Sequence, residues 1–345
     1  MRHLWWKVLC GLLLAYVTVF SFIVPLGPGV IGVDQTSLSS GENTVIIQSY
    51  NAHLEESDLQ VFLGINDSTY LCTEVLEQVD NDKLKVRFTL PQDAPNTSFN
   101  ILMNNAKDGT MFFPNAFRYA DAAGTSGDFE WSSCPVSVVN QENTGFSIPF
   151  QPIIYETIRN LMFHVPMWFT MFFLMGIALV SSLRYLSNSK TEHDLRALAA
   201  VQVGLVFCVL GLITGSVWAR FTWGAWWVND PQLNGALVTF LIYVAYIILR
   251  NSIEDDQKRA KIAAVFNIFA FVILFVLLMV LPRFSESLHP GKGGNPAFNK
   301  YDLDNTLRMV FYPAVIGWIL LGYWIYQLRL RLHRIEKKFY YNENV

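Results

Sequence analysis

Residues 262–281 read IAAVFNIFAFVILFVLLMVL, twenty positions with no charge and one amide. A helix needs about 20 mostly apolar residues to cross the hydrocarbon core. Only helices and closed barrels satisfy their backbone polar groups in lipid, and this run is far too long for a barrel strand. It therefore reads as a membrane-spanning helix. Working outward, five more runs qualify, roughly 8–26, 161–183, 198–219, 235–249 and 309–328, of which 235–249 is the shortest. The composition agrees: 52% of the chain is apolar and 15% charged, against roughly 25% charged in an ordinary soluble domain. A formal net charge of -3 offers no basic footprint for nucleic acid.

Cytoplasmic loops are enriched in Lys and Arg. With Arg2 and Lys7 inside, six spans put three further basic segments inside. These carry Arg184, Lys190 and Arg196; then Arg250, Lys258, Arg259 and Lys261; then Arg329, Arg331, Arg334, Lys337 and Lys338. Both termini are expected in the cytoplasm. The first run follows Arg2, His3 and Lys7 as a signal peptide would. It is long, however, and no small-x-small site follows, so it reads as a retained anchor.

Segments 27–160, 220–234 and 282–308 then lie outside. The first is large enough to be a domain. Leu84-Lys85-Val86-Arg87-Phe88-Thr89-Leu90 alternates strictly, as do Leu59, Val61, Leu63 and Ile65, and Phe99, Ile101 and Met103. That is strand periodicity. Turn residues such as Asp80-Asn81-Asp82 and Pro95-Asn96 separate the runs. Five to seven strands fit in 35–122, a small all-β sandwich, with a Gly/Ser/Asn-rich linker over 123–150. The expected fold is thus a membrane all-α protein of six transmembrane helices with a β domain inserted between helices one and two. Its parts are an anchor (1–26), the outer domain and linker (27–150), a five-helix membrane domain (151–330) whose outer Trp-rich segment covers 218–233, and a basic tail (331–345). Cys10 and Cys208 fall in spans. Cys72 and Cys134 fall outside and can pair if that compartment is oxidising.

Topology sorts the six histidines. His3, His193 and His333 sit among cytoplasmic charges, where a solvated face explains them. His53 stands in the outer domain with no partner in view. His164 lies at the outer end of span two, in Phe163-His164-Val165-Pro166, where ionisable groups are functional candidates. The competing reading is a histidine bonded to a backbone carbonyl. His289, in Leu288-His289-Pro290, lies on the same side; alone it reads as an exposed loop residue. Two imidazoles from opposite sides are a standard axial set for haem iron. Between them in sequence runs Trp218-Ala219-Arg220-Phe221-Thr222-Trp223-Gly224-Ala225-Trp226-Trp227-Val228-Asn229-Asp230. An aromatic belt at the interface is the simpler reading. If the segment is helical, Trp223, Trp226 and Trp227 share one face and Asp230 continues it. Such a platform suits a flat apolar macrocycle, with Arg220 available to a propionate.

At these residues the chain resembles the CcmC/CcsA haem-handling family of cytochrome c biogenesis, closest to CcmC. The family's Trp-Gly-x-Trp-Trp-x-Trp-Asp signature corresponds to Trp223-Gly224-Ala225-Trp226-Trp227-Val228-Asn229-Asp230. The preceding Thr-Gly-Ser-x-Trp stretch is Thr214-Gly215-Ser216-Val217-Trp218, and the His-Val-Pro and Leu-His elements are His164-Val165-Pro166 and Leu288-His289. The resemblance covers about 155–330. It implies that His164 and His289 ligate the iron of haem b. Trp218, Arg220, Trp223, Gly224, Trp226, Trp227 and Asp230 would form the presenting surface. It further implies a bacterial inner-membrane location, a CcmE-type periplasmic haem chaperone as recipient, and ABC-transporter subunits and a small accessory membrane subunit as further partners. Asn229 stands where a third Trp is usual and Gln232 where Arg is frequent. The resemblance leaves the outer domain unexplained; a docking module is the hypothesis.

No nucleophile–base pair, phosphate loop or carboxylate pair appears, so an enzyme is not expected. The alternative is a permease component of a haem or small-molecule export complex, which needs polar residues or broken helices at mid-membrane. Gln202, Thr214 and Asn267 are the candidates and form no evident path. A receptor would need an output domain, and only the short basic tail is available.

Overall fold

The computed structural model describes residues 4–64, 70–90, 98–119, 134, 136, 147–150, 154–285, 287–289 and 305–343. The chain divides into two compact units, Met1–Ile23 with Thr157–Val345, and Val24–Glu156.

In the first unit, α1 (Trp5–Ile23) is followed, after the inserted unit, by α2 (Leu161–Asn188), α3 (Thr191–Trp223), α4 (Pro231–Asn251), α5 (Asp256–Phe275), α6 (Leu281–Phe284) and α7 (Asn305–Glu343). Among the described residues, six helical stretches are long and apolar enough to cross a membrane, with α5 running into α6 through a π turn at Val276–Val280. The turn has a local cause. Pro282 lacks an N–H, and its ring crowds the carbonyl four residues back, so the ladder widens just before it. Helix ends follow the local chemistry. Asp230 caps α4, with Pro231 at the first helical position. Asp255 caps α5 by accepting from the Lys258 N–H at 2.6 Å. Ser189 ends α2 in the left-handed region.

The core of this unit joins Met167, Met171, Leu174 and Met175 of α2 to Ala199, Ala200, Val203 and Phe207 of α3, Tyr243 and Tyr246 of α4, and Ala270 and Leu274 of α5. Asp194 in the first turn of α3 meets Arg250 in the last turn of α4 through two bonds of 2.6 and 2.5 Å, with both side chains buried.

One expectation changes here. The basic tail over 331–345 is helical as far as Glu343, continuing α7, and its Arg334 pairs with Glu192 of α3. His333 is buried rather than solvated: its Nε2 lies 2.7 Å from Gln202 Oε1 and its Nδ1 2.9 Å from Glu336 Oε2. Hydropathy assigned the helix end to water because the residues around His333 are charged. The fold instead pairs those charges against α3. His193 is half-buried, with Nε2 beside Asn188, and His3 lies outside the described residues.

The second unit is a β-sandwich. One sheet is ordered β1 (Gly29–Val33), β3 (Gly41–Tyr50), β7 (Lys83–Leu90), β6 (Glu74–Asp80). The other is ordered β2 (Ser37–Leu38), β9 (Gly109–Tyr119), β8 (Ser98–Asn105), β4 (Gln60–Gly64), β5 (Tyr70–Cys72). The strict alternation of β7 buries Leu84, Val86, Phe88 and Leu90. Against β3, Val86 stands opposite Val45 and Leu84 opposite Ile47. From the other sheet Val61, Leu63, Phe99, Ile101 and Met103 close the same core. The described strands number nine and begin at Gly29, rather than the expected five to seven from 35. The excess comes from the short β2 and β5, which carry too few residues to show a period. Cys72 and Cys134 are bonded, and the Cys134 N–H donates to Tyr70 O at 3.1 Å, so this point of the expected linker is fastened to β5. Most of 123–150 lies outside the described residues. His53 has a partner after all: its Nδ1 is 2.7 Å from Asp108 Oδ1, and its backbone N–H donates to Asp108 Oδ2 at 2.6 Å.

Candidate functional site

The start of α2, the end of α3, the cap of α4 and the segment after α6 meet at one end of the helical unit. His164, fourth residue of α2, is buried there. It reaches α3 because α3 has no side chain in its way: a Cβ on Gly215 would lie 2.8 Å from His164 Cε1. One turn earlier, a Cβ on Gly211 would lie 2.8 Å from the Trp168 ring, and further along, one on Gly204 would meet Met175 Cε at 2.8 Å. Thus His164, Trp168 and Met175 on α2 enter three glycine hollows on α3 at matching spacings. Small residues permit this close approach between membrane helices.

His164 Nδ1 lies 3.1 Å from Thr214 Oγ1. The Thr214 hydroxyl also lies 2.8 Å from Leu210 O, to which it donates. A hydroxyl has one proton, so it accepts from His164 Nδ1–H. That fixes the tautomer and leaves Nε2 with its lone pair.

The His289 ring centre stands 6.3 Å from that of His164, with the planes inclined at 49°. Trp218 presents an edge to His164 at 5.7 Å and 89°, Trp168 does so at 6.3 Å and 81°, and Trp223 lies 5.9 Å from His289. The His289 Nδ1 is shielded and has no hydrogen-bond partner among the described residues. Burial pushes the His289 imidazole below its ordinary value, and nearby Asp230 offsets part of this. The ring is therefore neutral at neutral pH, as a metal ligand must be.

Asp230 is 2% exposed and links two elements. One oxygen caps α4, accepting from the Gln232 and Leu233 N–H groups at 2.9 and 3.3 Å. The other accepts from the Leu288 N–H at 2.8 Å, one residue before His289. Burial alone would raise its pKa. Hydrogen bonds from Leu288, Ser287, Gln232 and Leu233 outweigh that and hold it below the usual carboxylate value.

The Trp-rich segment is not one helix. α3 ends at Trp223, and Gly224, at φ +77°, turns the chain out through the left-handed region. Residues between Gly224 and Asp230 have no regular helix, so Trp223 does not share a helical face with Trp226 and Trp227. Glycine decides this: its tolerance of positive φ makes it a helix terminator. Arg220 donates to Gly224 O at 2.5 Å and is otherwise exposed. Trp227 Nε1 donates to Asn234 Oδ1 at 3.4 Å, and Asn234 Nδ2 donates to Asn229 Oδ1 at 2.8 Å. Asn229, the departure from the resembled pattern, thus ties the segment to α4. Trp226 is 60% exposed and Trp227 38%.

The residues singled out in the sequence thus fall into two groups. His164, His289, Trp218 and Trp223 come together. Arg220, Gly224, Trp226 and Trp227 form an adjoining exposed segment, and Asp230 acts beneath as a tether. Thr214, Gly211, Gly215 and Trp168 complete the arrangement. Of these, only the Thr214-Gly215 motif carried a signal in sequence. The polar candidates for a conducting path are engaged elsewhere: Gln202 with Arg329 and His333, Asn267 with the Ser182 hydroxyl, and Thr214 with His164.

The family model described as Heme exporter protein C matches residues 137–343. The chain is 28% identical to Heme exporter protein C of Paracoccus denitrificans over 187 residues, covering 54% of this chain and 77% of that protein. It is 25% identical to the Haemophilus influenzae protein of the same name over 202 residues, covering 56% and 78%. A shorter match, 36% over 89 residues, joins it to cytochrome c biogenesis protein CcsA of Prochlorococcus marinus, covering 26% and 28%.

Proposed function

The chain belongs to the heme exporter protein C family, and from that membership we propose that it binds haem b at the outer face of a bacterial inner membrane and presents it to a CcmE-type periplasmic haem chaperone for cytochrome c maturation. His164 and His289 are the axial ligands in this reading. The observation that carries it is the pair itself: two imidazoles, 125 positions apart in sequence, with ring centres 6.3 Å apart. A metal–nitrogen bond to histidine is about 2.0–2.1 Å, and each ring centre lies about 1 Å beyond its nitrogen, so two rings on one iron stand roughly 6 Å apart.

The chain's own residues supply the rest. Thr214 holds His164 with Nε2 free. The buried His289 is kept uncharged, and Asp230 fixes its segment. Trp218 and Trp223 line the two rings, while exposed Trp226 and Trp227 offer an apolar surface on which a macrocycle can be handed over. Haem, when bound, contributes an iron that accepts both lone pairs. Cargo held by two ligands and stacking is released by exchanging ligands one at a time, which suits a transfer component rather than an enzyme. The distribution of Lys and Arg among the loops supports a cytoplasmic position for both termini. ABC-transporter subunits and a small accessory membrane subunit are the further partners, and the β-sandwich is a docking module.

The test is the absorption spectrum of the purified protein with and without reductant. His164→Ala and His289→Ala should each abolish the six-coordinate haem spectrum. If both variants keep it unchanged, the ligand assignment fails.

A further inference from the structure

The two imidazoles are held unequally. His164 sits inside α2, a helix of 28 residues, and its ring fills the hollow at Gly215. Its Nδ1–H is bonded to Thr214 Oγ1 at 3.1 Å, and the Gly211 carbonyl is a second acceptor for that proton. His289 belongs to no helix; it follows the four-residue α6. Its segment is fastened through the backbone, Leu288 N–H to Asp230 at 2.8 Å and His289 N–H to Ser287 Oγ at 3.1 Å. The ring has no such hold. Its Nδ1 is shielded from water and has no partner among the described residues. Asp230 and Ser287 are engaged with each other and with backbone N–H groups.

A histidine that ligates through Nε2 carries its proton on Nδ1. A hydrogen bond from that N–H raises the ligand's basicity and fixes its orientation, whereas a buried N–H without an acceptor is a penalty. For His164 the proton is already accommodated. For His289 it falls on a shielded atom with nothing to receive it. Access points the same way. His164 is 5% exposed, with Trp168 and Trp218 edge-on to it, while His289 is half-buried beside exposed Leu288.

Taking the axial pair of the proposed function as given, we propose that His289 is the ligand exchanged on transfer and His164 the one retained, with Thr214 as the positioning residue that strengthens His164. In the exchange the iron–nitrogen bond to His289 breaks and a bond from a lone-pair donor of the recipient forms. The iron keeps its oxidation state and stays bound to His164 throughout.

The ferric haem-loaded protein is treated with cyanide, which replaces one imidazole, and the adduct is read by electron paramagnetic resonance. If His164 remains on the iron, Thr214→Val should shift the largest g value of the adduct, because the retained ligand loses a hydrogen bond. Thr214→Ser, which keeps the hydroxyl, should restore the wild-type signature. An unshifted signature in Thr214→Val, an equal shift in Thr214→Ser, or no cyanide adduct at all would each overturn the proposal. The single-histidine variants give the second reading. The wild-type adduct should coincide with that of His289→Gly; coincidence with that of His164→Gly would reverse the order. The axial pair is tested separately, before cyanide is added: a glycine variant that kept the bis-imidazole spectrum would refute the pair itself.

Discussion

Asp230 joins the start of α4 to the residue before His289, and it can do so because a carboxylate has two oxygens and no proton to donate. Asp230→Asn keeps one acceptor and replaces the other by an amide donor facing the Leu288 N–H. A hydrogen bond to a charged group contributes about 1.5–3 kcal/mol. The variant should keep its helical circular dichroism and bind haem roughly tenfold more weakly or worse, measured by absorbance titration; wild-type affinity would mean the tether does not position His289. The pH behaviour has a definite sign. The Asp230 carboxyl lies below its ordinary value when folded, so its contribution is complete above that value and lost only as pH falls through the lower one. The His289 imidazole is also lowered, so it stays neutral down to and somewhat below about pH 6.5. The haem spectrum should therefore be constant from pH 8 to about 6.5, and a later loss would come from the imidazole, with the tether still intact. Gly215→Ala tests the ring from the other side. Its methyl would lie 2.8 Å from His164 Cε1, and overpacking of this kind typically costs about 1–3 kcal/mol. A protein that folds with an altered or absent six-coordinate spectrum is expected; an unaltered spectrum would mean the ring has room.

α3 is the element that brings the site together, through its glycine hollows and through Asp194 at the far end. Removing one partner of a buried ion pair costs about 3–5 kcal/mol, whereas replacing both by apolar groups is often neutral. Arg250→Leu should therefore lower the thermal midpoint in detergent more than the double change Asp194→Leu/Arg250→Leu does; equal losses would mean the cost is local packing rather than an orphaned carboxylate. The sequence reading reaches the elements unevenly, for physical reasons. Spans such as 262–281 and strands such as β7 are legible because burial repeats with the period of the backbone. The histidines at the site are legible because charge patterning sorts them by side of the membrane. What α3 does at Gly211 and Gly215 depends on which residues face them from α2, and composition carries no trace of that. The Trp-rich segment misleads because helical spacing is a property of sequence, while the left-handed turn at Gly224 is a property of the backbone. His333 misleads likewise: its charged neighbours find partners on α3 that only the packed helices supply.

The inserted β-sandwich has its own core, its own disulfide between Cys72 and Cys134, and chain connections that lie side by side. The Gly27 N–H donates to Ile148 O at 2.7 Å, and the Ile148 N–H donates to Pro25 O at 2.9 Å. Entry and exit are thus already within bonding distance, so a Gly/Ser linker of about six residues can replace everything between them. Excision at these points removes both partners of the disulfide together, whereas cutting only 35–122 would strand β1 and Cys134. If the sandwich docks a partner and takes no part in ligation, the excised protein should keep its six-coordinate haem spectrum while the level of mature cytochrome c falls in cells that depend on it. Normal cytochrome c levels would refute docking. A lost haem spectrum, in a protein that still inserts and keeps its helical signal, would instead make the sandwich part of the binding site. The two results separate because one is read on purified protein and the other on its acceptor.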